Sequence, residues 1–469
     1  MGYLYIRTLE PSVEALKTYL QQQYATGTPV TVWYVLAEPE TAVVNEPLMK
    51  IGDFADEISN ITIPTTKGSN TLSINTSVQP SNVQVSISGW VPHNNIKEYK
   101  NNAWMATSWE GFRDIVRAGN GPTRYPIGTK LYETWGDDTS NAWIIVDYDN
   151  SNYNDPDISA LGYTHNVVLY EEKINYLKQF DASEAWLYVE TAIPAGTYRF
   201  TIPDYDTSYG GGKTYIFTST VDVPIHGQLT LSWPYQQNPV SVSAYTTNTS
   251  TTALFTATLT EWDGTTTSED LGTIKLAMSD PDSTYGKLNH IHRARYGSNN
   301  YYQSGIRQWL NSDATANNWW KPTNIFDRPY SNRTTDGGLY LMDKDFRKVI
   351  AAPNITCITN NIFETGTSGS TAFKLQTQYT IRDKIFLPTH TELNLSSNPN
   401  IGTVFSQYTN AGNDDRIKYR KDNGNAYYYW CRTPYPSNGH TVRNVNTSGA
   451  LYSNSASNTI GAVRACIIQ

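Results

Sequence analysis

The sequence predicts an α+β protein in two parts: a small β-rich N-terminal domain over 1–90 and a larger mixed domain over 91–469. An all-β insertion is expected within the second part, at about 180–280. Three observations lead there. Helical spacing of apolar residues is confined to a few short segments, and β-type alternation broken by Gly, Pro and Asn dominates elsewhere. The composition also shifts after Asp422, beyond which no Asp, Glu or Lys occurs and Arg432, Arg443 and Arg464 are the only charges. At 469 residues the chain exceeds what one compact core accommodates.

The elements follow in order. Ser12 caps a helix whose Val13, Leu16 and Leu20 share a face and which ends near Gly27. Val30 to Ala37 is a strand stopped at Pro39, and Thr71–Ile74 and Val83–Ile87 are thin strands. Ninety residues of this kind bury little by themselves, so this part is expected to find its missing core in partner subunits. Ser108 then caps a helix from Trp109 to Ala118 with Trp109, Phe112, Ile115 and Val116 on one face, and Gly119 suits its left-handed C-terminal cap. Ala142–Val146 is a strand. Tyr198–Ile202 and Leu229–Trp233 belong to the all-β insertion, whose strands are spaced about ten residues apart. Short helices are expected at Ser304–Leu310 and Asp343–Ile350. From about 423 to 469, sparse anchors (Trp430, Val442, Val445, Leu451, Val463) alternate with Tyr, Ser, Asn, Thr and Gly, which reads as a folded strand-and-loop surface.

Composition narrows the function. The net charge is −8 with only 17% charged residues, and no basic cluster exists to neutralise phosphates, so a duplex nucleic-acid binder is excluded. No apolar run reaches the roughly 18 residues of a membrane span. Met1-Gly2-Tyr3-Leu4-Tyr5 lacks the basic and apolar regions of a signal peptide. The three cysteines, Cys357, Cys431 and Cys466, indicate neither a disulfide framework nor a zinc ribbon. With 34 Tyr and abundant Asn and Ser, the polarity resembles that of contact surfaces, where Tyr brings area at low entropic cost and Asn and Ser bring adaptable hydrogen bonds.

Motifs for chemistry are incomplete. His290 and His292 lie on one face of a strand without a third ligand nearby. Asp147 to Asp157 resembles a calcium loop, but Asn152 and Ile158 stand where an EF-hand needs Gly and Glu. A solvated Asx-rich turn is the default there and a structural calcium the alternative. Gly211-Gly212-Lys213-Thr214 has Thr207 where a phosphate-binding loop requires glycine, so a hairpin turn is expected. Ser368 misses the nucleophile-elbow spacing. No cofactor is expected, and no enzyme.

The C-terminal run carries a resemblance. Tyr429-Trp430-Cys431-Arg432-Thr433-Pro434, Val442 to Gly449, and Gly461-Ala462-Val463-Arg464-Ala465 resemble the closing segment of C-type-lectin-fold variable proteins. These are diversified by retroelements in phages and bacteria, a group that includes the phage major tropism determinant. Trp109–Gly128, Leu288–Arg293, Tyr296–Asn300, Ile306–Ser312 and Lys384–Pro388 are similar to the same domain in gut-phage tail proteins, and the first 90 residues resemble phage tail structural proteins.

The resemblance implies a C-type-lectin-like domain over 91–469 and an N-terminal tail-attachment and trimerisation domain. It implies a non-enzymatic, homotrimeric receptor-binding protein at a phage tail tip or fibre, whose partners are other tail proteins and a bacterial surface receptor, protein or glycan. Adenine-directed mutagenesis of Asn codons yields Tyr, Ser, Thr, His, Asp, Gly, Ala or Ile but never Lys, Glu, Gln or Trp. The absence of Lys, Glu and Gln from Tyr427 to Ala465 fits that chemistry. Mapped residue by residue, the variable, ligand-binding positions are Tyr427, Tyr435, Ser437, Asn438, His440, Asn444, Asn446, Tyr452, Ser453, Ser455, Ser457 and Thr459. The scaffold is Trp430, Arg432, Pro434, Val442, Arg443, Val445, Gly449, Val463 and Arg464. A bacterial surface protein with the same domain is the alternative. A formylglycine-generating-enzyme-like oxidoreductase would need Cys431 and Cys466 as a reactive pair.

Overall fold

The computed structural model describes residues 106–201, 212–232, 241–273, 294, 296–359, 377–396, 401–436 and 439–469, with the backbone of five earlier strands. The chain divides into two compact units, Met1–Pro126 and Ile127–Gln469. The expected boundary near residue 90, the helix expected after Ser12, His290, His292 and Ser368 lie outside the described residues.

In the first unit, β1 (Tyr3–Arg7) pairs antiparallel with both β2 (Trp33–Ala37) and β3 (Leu48–Asp53). Separately, β4 (Asn70–Asn75) pairs antiparallel with β5 (Asn82–Ile87). Helix α1 (Trp109–Arg117) forms as its spacing dictates: Ser108 Oγ accepts from the Gly111 amide at 3.1 Å, and Trp109, Phe112, Ile115 and Val116 are buried. Gly119, at φ +72°, takes the left-handed conformation just past its end. A one-turn helix, α2 (Gly121–Arg124), follows. The sequence reading places α1 with the second domain, whereas it clusters with the first unit.

The second unit is a mixed, β-rich α+β structure. It opens with β6 (Lys130–Tyr132), β7 (Ala142–Tyr148), α3 (Pro156–Ala160), β8 (Val167–Glu171) and β9 (Tyr176–Gln179). The all-β stretch comes next as a two-sheet sandwich: β10 (Leu187–Tyr188), β11 (Gly196–Thr201), β12 (Thr214–Ser219), β13 (Gln228–Ser232), β14 (Ser241–Tyr245), β15 (Phe255–Thr258), β16 (Thr260–Glu261) and β17 (Glu269–Thr273). Its sheets run β10-β13-β14-β15 and β16-β12-β11-β17. Alternate residues such as Tyr198, Phe200, Tyr215, Phe217, Leu229 and Val242 build a core of its own. Gly212, at φ +77°, leads into β12, whose strand pairs with β11 as a hairpin would require.

After the sandwich come α4 (Gly305–Leu310), α5 (Lys344–Val349), β18 (Asn354–Thr359), β19 (Thr377–Arg382), β20 (Ile385–Phe386), β21 (Tyr429–Pro434), β22 (Thr441–Val445), β23 (Leu451–Ser455), β24 (Thr459–Ala462) and β25 (Ala465–Ile468). Ser304 and Asp343 cap the two helices through their side chains. Two five-stranded sheets result, β20-β25-β8-β7-β6 and β23-β22-β21-β24-β9. Chain segments on either side of the sandwich interleave in both, because β8 pairs with β25 and β9 with β24. Every residue of β8, β21 and β25 is buried, so these strands show no solvent-facing alternation, and their charged members Glu171 and Arg432 are each ion-paired.

The calcium-like run folds as an Asx-rich turn. Asp147 accepts from Asn150 Nδ2 at 2.7 Å and Ser406 Oγ at 2.5 Å, and Asp149 accepts from the Asn166 amide. Asp155 caps α3 and pairs with Arg382 at 2.8 Å. Among the described residues, no three metal-ligating side chains converge.

Candidate functional site

The C-terminal strands are held by two buried arginines. Arg432 Nη1 and Nη2 reach the two Glu392 carboxylate oxygens at 2.9 and 2.8 Å, and Nη1 also donates to the Leu387 carbonyl. Tyr153 donates its hydroxyl to the same carboxylate. Arg464 is fully enclosed, with Nε and Nη2 donating to Glu171 at 2.9 and 2.7 Å and Nη1 to the Gly338 carbonyl. Such forks fix a guanidinium in one geometry. Trp430 adds a third fastening: its indole NH donates to the Lys178 carbonyl at 2.9 Å, and its ring meets Phe180 edge-on at 5.7 Å. Val442, Val445 and Val463 are all fully buried. Gly449 turns β22 into β23 at φ +75°, with the Asn413 carbonyl where a Cβ would stand.

The loops between these strands are clasped by residues 296–300. Asn299 donates twice to the end of the β21–β22 loop: its amide goes to the Gly439 carbonyl at 3.0 Å and its Nδ2 to the Thr441 carbonyl at 2.9 Å. The Tyr296 carbonyl accepts from the Ser457 amide at 2.7 Å. Gly297, at φ +76°, has the Ala182 carbonyl 2.6 Å from where its Cβ would lie, so the clasp requires glycine at that point.

The residues expected to bind ligand do not form one patch. In the β22–β23 ribbon, Arg443 lies opposite Ser453 and Thr441 opposite Ser455, while Asn444 lies opposite Tyr452. Side chains alternate along a strand, so Ser453 and Ser455 share the Arg443 face and Tyr452 points to the other. Tyr452 is 50% exposed and packs 5.9 Å from Tyr428, which meets Tyr427 at a right angle. The Arg420 guanidinium lies 5.2 Å over Tyr427. On the Arg443 side, Tyr435 covers that guanidinium at 4.6 Å. His440 stacks on Tyr296, Ser457 is partly buried and Thr459 exposed. Ser437 and Asn438 lie outside the described residues.

Of the expected residues, Asn444 is sealed away with neither amide atom hydrogen-bonded among the described residues, and Asn446 serves the fold. Asn444 is completely enclosed and cannot meet a ligand, because it shares the inward parity of Val442 and sits beside Trp430 in the pairing of β21 with β22. Asn446 Oδ1 accepts from the Ser448 and Ala450 amides and so builds the β22–β23 turn. Tyr428, by contrast, is absent from the sequence reading, although it belongs to the run Tyr427–Tyr429 and alternates with buried Trp430.

Electrostatically the three arginines differ. Arg432 and Arg464 each have a carboxylate, whereas among the described residues no carboxylate acts on Arg443. Burial lowers its guanidinium's affinity for the proton, and its Nε is buried without a hydrogen-bond partner among the described residues. His390 is buried nearby, with burial and the Arg443 charge pushing its imidazole down to about 4, so it is neutral at neutral pH. The thiols are inert by environment: Cys357, Cys431 and Cys466 are unpaired and buried, and burial pushes the first two up to about 12 and the third well above its usual value.

A polar cavity of about 280 Å³, absent from the sequence reading, opens beside the Arg432–Glu392 pair and is lined by Asn152, Tyr153, Thr356, Gln378 and Gly402 among others. Its residues come from segments far apart in the chain, so no local pattern signals it.

Residues 273–469 are similar to a family described as a domain of unknown function (DUF6273). That match begins at the end of the sandwich and omits β8 and β9, which complete both five-stranded sheets. No curated protein and no solved structure matches the chain.

Proposed function

We propose that this chain is a non-enzymatic receptor-binding protein of a phage tail, setting host tropism by engaging a bacterial surface ligand through the side chains of its C-type-lectin-like C-terminal strands and loops. The observation that carries the reading is the division of labour over 427–459. Backbone and anchors are fixed by Trp430, the Arg432 and Arg464 ion pairs and the 296–300 clasp, while Tyr427, Tyr435, His440, Tyr452, Ser453, Ser455 and Thr459 retain accessible side chains. A surface that changes partner needs such a frame, since its side chains then vary without unfolding anything. The buried, proton-holding thiols give the oxidoreductase alternative no support. The small strands of the first unit suit assembly with copies of itself, and a homotrimer adds avidity of about 10²–10⁴-fold where geometry allows.

The test is adsorption of the labelled full chain to a panel of gut bacterial isolates. Binding to a subset is expected, abolished by Tyr435→Ala combined with Tyr452→Ala at an unchanged melting temperature. Adsorption to no isolate, or equal adsorption by the double variant, overturns the reading. Light scattering on the same chain is expected to give a trimer.

A further inference from the structure

We infer that Arg443 is an oxyanion receptor: the guanidinium beneath the Tyr435 ring takes a carboxylate or phosphate group carried by a surface glycan. The inference rests on the adhesin reading for the source of the ligand and adds its charge class.

Three observations converge. The first is a missing counter-charge. The other two arginines of this stretch have carboxylates at 2.7–2.8 Å, while Arg443 has no ion pair or hydrogen bond among the described residues, although its Nε is buried. A partly desolvated guanidinium without a partner costs stability that a bound anion would recover. The Tyr435 ring lies 4.6 Å from the Arg443 guanidinium, and an arginine fork accommodates planar and tetrahedral anions alike.

The second is the surrounding chemistry. Ser453 faces Arg443 across the ribbon, and the next pair, Thr441 and Ser455, places further hydroxyls on the same side. These short groups donate to an anion without competing for the cation. The third is access. Arg443, Tyr435, Ser453 and Ser455 are all partly exposed, unlike Arg432 and Arg464, which are sealed. Arg420, the arginine among the aromatic rings on the other side of the ribbon, is already occupied by Asp422.

The experiment is biolayer interferometry of the full chain on three immobilised polymers: polygalacturonate, poly(glycerol phosphate) and neutral dextran. Binding to at least one anionic polymer and none to dextran is expected, weakening as salt rises. Which polymer binds tells carboxylate from phosphate. Arg443→Gln is expected to lose at least tenfold in affinity, with Arg443→Lys between it and the native chain. Ser453→Asp keeps the arginine and its fold but supplies a carboxylate directly across the strand pair, and the same loss is expected from it. Native-level binding by Ser453→Asp or Arg443→Gln, or no binding to either anionic polymer, overturns the inference. Whole-cell adsorption run in parallel separates the two readings. Cells bound without anionic polymers retain the adhesin and remove the anion site; anionic polymers bound without cells do the reverse.

Discussion

Replacing Glu392 by Gln tests the frame most directly. The carboxylate collects four donors: both Arg432 Nη atoms at 2.9 and 2.8 Å, the Thr389 amide at 2.8 Å and the Tyr153 hydroxyl. The amide introduced by Glu392→Gln would keep one acceptor and turn an NH₂ towards the guanidinium, leaving Arg432 charged, enclosed and opposed only by carbonyl groups and the Tyr153 hydroxyl. Breaking one partner of a buried pair costs about 3–5 kcal/mol. For a unit of this size each kcal/mol moves the midpoint by roughly 2 °C, so a fall of roughly 6–10 °C is expected in calorimetry. Glu171→Gln is the internal comparison. Arg464 would still have the Glu133 carboxylate at 3.6 Å, so its loss is expected to be smaller. A Glu392→Gln protein that melts within roughly 2 °C of the native chain, or later than Glu171→Gln, refutes the account of Arg432 as a pinned, counter-charged strut.

Other expectations follow from the same geometry. Lys418 is buried with its Nζ 2.6 Å from the Glu171 carbonyl, and burial lowers its pKa to about 7 from 10.5. Between those values the unfolded chain binds the extra proton, so stability rises with pH; relative to Lys418→Met, the native chain gains up to about 1.4 kcal/mol per pH unit in urea titrations run from about pH 7 to 10. A disulfide-exchange reagent is expected to modify none of the three thiols in the folded protein and all three in denaturant. Gly297→Ala drives a methyl against the Ala182 carbonyl in a left-handed conformation. It is expected to cost more than about 1 kcal/mol in denaturant titration and to weaken adsorption to cells together with stability.

Local order is legible in the sequence wherever it rests on neighbouring residues. Ser108, Ser304 and Asp343 mark helix starts because a cap bonds within three residues, and Gly119 marks an end for the same reason. Trp430, Val442, Val445 and Val463 are readable as anchors from their spacing, and each is buried. Leu451 is only partly buried, since it belongs to an edge strand. What escapes depends on distant partners. Arg464 and Glu171 are 293 positions apart and Arg432 and Glu392 are 40 apart, with no periodicity linking either pair. The polar cavity beside Arg432 is hidden for that reason too. Asn444 is a different case: its even spacing from Val442 already assigns it the inward face, and parity outweighs residue type when a strand is covered.

Strand β25 comes after every residue assigned to the contact surface, yet it is flanked by β20 and β8 within a five-stranded sheet and none of its residues reaches solvent. Any frameshift or stop codon arising between 427 and 459 therefore deletes a central strand along with the altered loop. Such a product lacks the strand that joins β20 to β8. If the stretch over 427–459 is diversified as proposed, the buried strand β25 behind it ties display of any variant to completion of this sheet.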